Sequence, residues 1–253
     1  MGGPVATATA KLLARGHQAA KALDAARSAL GRRALRHGVA PAREHRAMLA
    51  DLQPRHVLDV GANRGQFALE VCRSAPAAAV LSFEPLPAAS ATFRAIFAEI
   101  ASVELRTVAL GSATGPAVLH VAEADDSSSL LAISELQSTT FPGTHEAETL
   151  DITTSTLDAE VEGYPLTEPA LLKLDVQGAE LEVIRGARAT LDQVTWVYVE
   201  CSFQAFYTGQ PLAHEIVAEL REHGLALTGI GPATRIGGRV VQADLLFSRP
   251  PPP

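Results

Sequence analysis

From His56 to Ser248, short runs of Val, Leu and Ile alternate with longer stretches whose apolar residues recur at helical spacing. HVLDVG, AVLSFEP, VELRTVAL, ALLKLDV, VTWVYVEC, LALTGI and VVQADLLFS read as strands. GQFALEVCRSA, AASATFRAIFAEI, AELEVIRGARATL and AHEIVAELREHG read as helices. Strand–helix–strand units of this kind return to one sheet through right-handed crossovers, so the expected fold is α/β, a seven-stranded, mostly parallel sheet with helices on both faces. Residues 111–168 break the rhythm. There GPAVLHVAEA and ETLDITTSTLDAEV read as extended pieces around a polar connection, DDSSSLLAISELQSTTFPGTHEA. The stretch is expected as an insertion between strands 3 and 4, and such insertions often cover a site. The organisation predicted is a basic helical extension over 1–50, the α/β domain over 51–249 and a solvated Pro tail over 250–253. Within the extension, residues 6–36 read as one or two Ala-rich helices with Gly31 or Gly38 as stops.

A chain of 253 residues, 47% hydrophobic, is long enough for one sizeable core. No apolar run approaches the ~18 residues of a membrane span, and no compact apolar segment of a secretory signal opens the chain. A cytoplasmic protein is expected, with Cys72 and Cys201 as reduced, buried thiols. The net charge of −7 is uneven: residues 1–50 carry +7 and the remainder −14. The basic start suits an exposed helix packing on an acidic body, and it leaves a peripheral membrane contact and a homodimer open. The acidic body argues against a nucleic-acid partner.

The first strand ends at Asp59 and hands over to a helix through Gly61-Ala62-Asn63-Arg64-Gly65. A phosphate loop would need G-x-x-x-x-G-K-[ST], and a dinucleotide fingerprint G-x-G-x-x-G; neither spacing is present. The remaining D-x-G-x-x-x-G turn, with helix-start N–H groups behind it, fits a ligand that offers a small charged amino-acid end. Glu84 closes the second strand 19 residues after Gly65. An acid there is placed to accept both hydroxyls of a ribose. S-adenosylmethionine has both parts. Asp175 and Glu200 end two further strands on the same edge, and Glu180 falls in the first turn of a following helix, where it would serve the helix dipole.

At these residues the chain resembles the FkbM family of S-adenosylmethionine-dependent methyltransferases, from about Val57 to about Pro211. The resemblance rests on LDVGANRGQFA, FEPLPAASATF, VALGSATGPAVLHV, SSSLL, TSTLDAEV, LLKLDVQGAELEVIRGA and YVECSFQAFYTGQP. It implies a Rossmann-like class I methyltransferase sheet whose last strand is antiparallel. It implies O-methylation of a hydroxyl on a sugar, glycolipid, oligosaccharide or other natural product. It also implies that Asp59, Gly61, Asn63 and Gly65 line the methionine end, that Glu84 holds the ribose, that Val108 and Ala109 flank the adenine, and that Asp175 and Gln177 sit beside the sulfonium.

Methyl transfer to an alcohol needs an aligned oxygen and a taker for its proton. Asp175 is the first expectation for that base, Glu200 the second, and His145 or His120 the third. A divalent cation such as magnesium, held by Asp175 and Glu200, with Asp125 or Asp126, is the other route. Ser127, Ser128 and Ser129 suit hydrogen bonding to a sugar. Phe203, Phe206 and Tyr207 either stack on an acceptor ring or form an apolar hinge. The competing readings are an NAD-dependent oxidoreductase on a similar sheet and a non-catalytic S-adenosylmethionine-binding protein.

Overall fold

The computed structural model describes residues 26–249. Most of the Ala-rich stretch at 6–36 and the Pro tail lie outside the described residues. Helix α1 (Ala29–Arg36) runs through Gly31, and Gly38, at φ 73°, follows its end. A 3₁₀ turn (Arg43–His45) then leads directly into α2 (Arg46–Leu52).

The main sheet holds β1 (His56–Val60), β2 (Ala79–Phe83), β3 (Val103–Arg106), β7 (Ala170–Leu174), β8 (Trp196–Ser202), β9 (Ala226–Ile236) and β10 (Arg239–Ser248), in the order β3-β2-β1-β7-β8-β10-β9. The pairs among β3, β2, β1, β7 and β8 are parallel, while β10 is antiparallel to both β8 and β9. This is the seven-stranded, mostly parallel sheet expected. The order reverses at β1, so the C-terminal ends of β1 and β7 flank the point where crossovers diverge to opposite sides, the usual place for a ligand.

Both faces are buried, which is why the strands read as near-continuous apolar runs. One face carries Leu58, Val60, Leu172, Leu174, Val197 and Val199. It packs on α7 (Glu180–Arg185), α8 (Arg188–Leu191) and α9 (Ala213–Glu222) through residues such as Val183, Leu191 and Ile216. The other face, with Val57, Leu171 and Tyr198, packs on α2, on α3 (Gln66–Ser74) and on α4 (Pro87–Phe97).

Four local readings differ. VELRTVAL is not one strand: β3 stops at Arg106, and Ala109–Leu110 (β4) leaves the main sheet to pair with β6 (Glu146–Ser155). AELEVIRGARATL breaks into α7 and α8 at Gly186, where a side chain would strike the Gly111 carbonyl oxygen of the neighbouring segment. LALTGI is the start of a longer strand that turns back through Gly237 and Gly238, both at positive φ as a two-residue hairpin requires. STLDAEV turns helical at α6 (Leu157–Glu160), capped by Thr156.

Residues 111–168 hold β5 (Gly115–Ala122), β6, the short helices α5 (Glu135–Thr140) and α6, and a 3₁₀ turn at Asp125–Ser127. With β4, strands β5 and β6 form a second, three-stranded sheet. It rests on α4 through Leu86, Ala89 and Leu119.

Candidate functional site

A cleft of about 430 Å³ lies at the C-terminal edge of β1, β2, β7 and β8, roofed by the insertion. Its floor is the turn after β1. Gly61 has φ 79°, and a side chain there would run into the carbonyl oxygen of Asp175. Gly65 has φ 94°, and a Cβ would lie 2.5 Å from Phe97 and 2.9 Å from Phe93. Both glycines are therefore required by packing of the chain on itself. Gly61 lines the cleft and Gly65 does not.

The turn's N–H groups are already taken. Gly61 and Ala62 donate to the Phe83 carbonyl (3.1 and 3.0 Å), and Gly65 donates to Ala62 (2.9 Å). Asn63 N–H donates to Glu84 Oε2 (2.8 Å), and Arg64 N–H to Asn63 Oδ1 (2.7 Å). The helix-start groups begin at Gln66, behind this turn; from Gly61 to Gly65 the backbone N–H groups are engaged within the chain and are not offered to a pyrophosphate.

Glu84 lines the cleft, 5% exposed. Leu86 N–H donates to its Oε1 at 2.8 Å, so each oxygen is held by one backbone donor. Val108 and Ala109 line the same end, with Phe83 and Leu110.

A polar row crosses the sheet face that packs on α3. Asp59 pairs in register with Lys173, and Lys173 with Tyr198. Lys173 Nζ lies 3.4 Å from Asp59 Oδ1, 3.3 Å from Asp175 Oδ2 and 3.3 Å from the Gly61 carbonyl, which accepts a hydrogen bond from it. Burial alone would lower the Lys173 pKa, but Asp175 and Asp59 more than reverse this and raise it. Asp59 is fully buried and does not line the cleft. Burial raises its pKa against the pull of Lys173. Its carboxylate fixes the ammonium that in turn holds the turn and Asp175.

Asp175 lines the cleft, but Gln177 Nε2 donates to its Oδ1 (2.8 Å) and Lys173 occupies Oδ2. Gln177, at φ 54°, also accepts from Tyr207 Oη at its Oε1 (3.0 Å), and its carbonyl accepts from Ser129 Oγ (2.7 Å). Glu200 lines the cleft with longer contacts from Gln177 Nε2 (3.4 Å) and Gln242 Nε2 (3.5 Å). Burial, then the charges of Asp175, Glu180 and Asp244, raise its pKa well above the ordinary value. Glu180 is buried behind the cleft. Its Oε1 accepts from Val176 and Gly178 (both 3.0 Å), and burial pushes its pKa up to about 7. It pins the turn after β7 as well as opening α7.

Ser127, Ser128 and Ser129 line the cleft. Ser128 and Ser129 also have structural work: Ser128 Oγ accepts from Ala122 N–H (3.1 Å), and Ser129 Oγ from Leu131 N–H (3.0 Å). Phe206 and Tyr207 are buried with Val241, packed on Phe141 and Ile133. They do not line the cleft. Tyr207 Oη bonds to the Ser127 carbonyl (3.0 Å) as well as to Gln177, tying the insertion to the turn after β7. Phe203 is 48% exposed and also outside the cleft.

His120 pairs with Glu146 (2.6 Å), His145 is exposed, and neither lines the cleft. Asp126 lines it; the Asp125 side chain lies outside the described residues. Among the described residues no three His, Cys, Asp or Glu converge as a metal-binding group. Among the same residues no helix is long and apolar enough to cross a membrane.

Sequence reasoning missed His45 and Gln242. Both line the cleft. His45 Nδ1 lies 3.1 Å from Tyr198 Oη and 3.7 Å from Asp244 Oδ2, and its ring meets Phe67 and Tyr198 edge-on at 5.3 and 5.5 Å. Burial pushes the Asp244 pKa up to about 7, with Asp175 adding to it. Nothing local in AREHRAMLADL marks His45; only the tertiary fold carries it to the cleft.

The strand order, the antiparallel β10 and a cleft over the ends of β1 and β7 define the class I methyltransferase fold. The methyltransferase FkbM domain matches residues 59–225, and the chain belongs to that family. It is similar to 2-O-methyltransferase NoeI of Sinorhizobium fredii, 31% identical over 165 residues, which are 61% of this chain and 66%, just under two thirds, of that relative. Among solved structures, Aeropyrum pernix fibrillarin with bound S-adenosyl-L-methionine aligns at TM-score 0.46 and 9% identity over 76% of this chain and 66% of that one. Magnesium protoporphyrin IX methyltransferase of Synechocystis PCC 6803 with bound SAM aligns at 0.44 and 11%, over 77% and 69%. At this similarity the fold rests on the strand order itself.

Proposed function

We propose that this methyltransferase uses S-adenosylmethionine to methylate a hydroxyl oxygen of a sugar, glycolipid, oligosaccharide or similar natural product. The observation that carries the reading is Glu84: a buried, cleft-lining carboxylate at the tip of β2, beside a turn whose backbone N–H groups are taken. That pairing suits a ribose and disfavours the pyrophosphate of NAD. The acidic wall of Asp175 and Glu200 suits a cationic ligand. The 2-O-methyltransferase relative supports oxygen as the methylated atom.

When bound, the cofactor supplies an electrophilic methyl on a positively charged sulfur. Glu84 binds the ribose. Val108 and Ala109 flank the adenine. Gly61 and Asn63 shape the methionine end, with Asp59 and Gly65 holding that turn from behind. Asp175, oriented by Lys173 and Gln177, sets a negative charge beside the sulfonium. Both of its oxygens are engaged, Oδ1 by Gln177 and Oδ2 by Lys173. Glu200, loosely held, orients the acceptor hydroxyl, and Ser127 to Ser129 face its ring. Tyr207 acts from outside the cleft, by holding Gln177 and Ser127.

Calorimetric titration with S-adenosylhomocysteine, S-adenosylmethionine and NADH tests the reading. Micromolar binding of the first two and none of the third is expected; NADH binding alone would restore the oxidoreductase. Methyl transfer from labelled S-adenosylmethionine to a panel of methyl glycosides then separates an enzyme from a binding protein.

A further inference from the structure

We infer that the acceptor is an uncharged sugar, free of phosphate, as it stands after glycosyl transfer, and that the cleft refuses the same sugar on a nucleoside diphosphate; the inference rests on the methyl-transfer reading above and narrows its acceptor. The end of the cleft assigned to the acceptor is built from groups that accept hydrogen bonds. Asp126, Asp175 and Glu200 line it. Among the described residues lining the cleft there is no arginine, and Lys173 is the one with a fixed positive charge.

Lys173 has little to offer an anion. An ammonium has three hydrogens, and its Nζ already faces three oxygens: Asp59 Oδ1 at 3.4 Å, Asp175 Oδ2 at 3.3 Å and the Gly61 carbonyl at 3.3 Å. The neutral donors are turned onto the chain as well. Gln177 Nε2 donates to Asp175 Oδ1 (2.8 Å) and to Glu200 Oε2 (3.4 Å), and Gln242 Nε2 to Glu200 Oε2 (3.5 Å). Gln137 Nε2 donates to Tyr207 Oη (3.4 Å), and Ser129 Oγ gives its hydrogen to the Gln177 carbonyl (2.7 Å). Ser128 Oγ accepts from Ala122 N–H (3.1 Å) and keeps its own hydrogen for a ligand. The helix start at Gln66 suits an anion, and the cofactor's amino-acid carboxylate is the anion expected there.

Such a surface is satisfied by a ligand that brings hydrogens. The hydroxyls of a sugar donate to the carboxylates, and its C–H faces suit Phe67 and Phe141, which also line the cleft. A phosphate brings only acceptors and more negative charge. Burial first, and then the charges of Asp175, Glu180 and Asp244, already raise the Glu200 pKa, so this wall resists added negative charge before any ligand arrives. The sulfonium of a bound cofactor offsets one acid. Lys173 is divided between Asp59 and Asp175, so acid remains in excess. Like charges brought together across an interface select strongly against the wrong partner. A sugar loses its nucleoside diphosphate when it is joined to a glycosidic partner. A glycosyl transfer therefore supplies the substrate of this cleft, and methylation follows it.

The test begins without an acceptor. Calorimetric titration of the full chain, with and without S-adenosylhomocysteine, is expected to show no binding of inorganic pyrophosphate up to about 1 mM. Tighter binding to the S-adenosylhomocysteine complex overturns the proposal. Methyl transfer from labelled S-adenosylmethionine is then compared across matched pairs, each sugar offered as its methyl glycoside and as its nucleoside diphosphate. The glycoside should be favoured by about 100-fold or more in kcat/KM; a preference below about tenfold overturns the proposal. Asp126→Lys, at an exposed position, should narrow the preference by about threefold or more. A preference that this charge reversal leaves unchanged also overturns it. If neither S-adenosyl compound binds, the methyl-transfer reading fails, while pyrophosphate still reports on the acidic wall. If both bind and no sugar is methylated in either form, the sugar acceptor fails and this proposal with it.

Discussion

At the scale of single residues, Glu84 and Gly61 carry two separable demands. Glu84→Gln replaces an acceptor oxygen with an amide that cannot accept from Asn63 or Leu86 N–H, and it removes the charge offered to the ribose. We expect S-adenosylhomocysteine affinity to fall about 10- to 100-fold, measured by calorimetry, from the loss of charge-assisted hydrogen bonds. Gly61→Ala puts a side chain at φ 79° against the Asp175 carbonyl. Strain and clash together should cost about 3 kcal/mol, or roughly 6–12 °C in melting temperature for a domain of this size. The sequence showed that this turn needed glycine and pointed to a close approach. It did not show that what approaches is the end of β7. Asp175 was legible as a strand-end acid because it follows an apolar run directly; Glu200 read the same way, but β8 continues past it to Ser202. His45 was not legible, because the contacts that place it at the cleft include Tyr198 and Asp244, more than 150 residues away in the chain.

At the scale of elements, the insertion is held over the cleft by a few polar ties as well as by apolar contact. Tyr207 is the central tie, its one hydroxyl proton shared between two acceptors, the Ser127 carbonyl and Gln177 Oε1, while its ring stays buried. Tyr207→Phe keeps the ring and removes the hydroxyl. Leaving those partners short should cost about 1–3 kcal/mol. The measurements are a lower melting temperature and faster limited proteolysis between residues 125 and 145. Nothing in YVECSFQAFYTGQP marks this tie, since Tyr207 reads equally as a ring for an acceptor to stack on or as part of an apolar hinge. The strands of the main sheet were legible because burial on both faces makes them uniformly apolar. The departures had tertiary causes: Gly186 breaks a helix to admit Gly111, and β4 leaves the sheet to meet β6.

At the scale of the whole molecule, buried acids govern the response to pH. Glu180 and Asp244 have pKa values pushed up to about 7, and Glu200 is also raised. An acid whose folded pKa lies above its unfolded value binds more protons in the folded chain between the two. Stability should therefore fall as pH rises from about 4.5 through 7. Glu180→Gln keeps an oxygen for Val176 and Gly178 but removes the charge. It should flatten this dependence by at most about 3 kcal/mol, read as the change in urea midpoint between pH 5 and pH 8; an unchanged slope would assign the effect to the other acids. The turn after β1 has a different consequence for life in a crowded mixture of metabolites. From Gly61 to Gly65 its amide protons are bound to the chain's own oxygens. Nucleotides and free phosphate, abundant wherever metabolism runs, would compete poorly for a loop whose backbone amides are already engaged. Selectivity at this cleft then begins with what the backbone has already withheld.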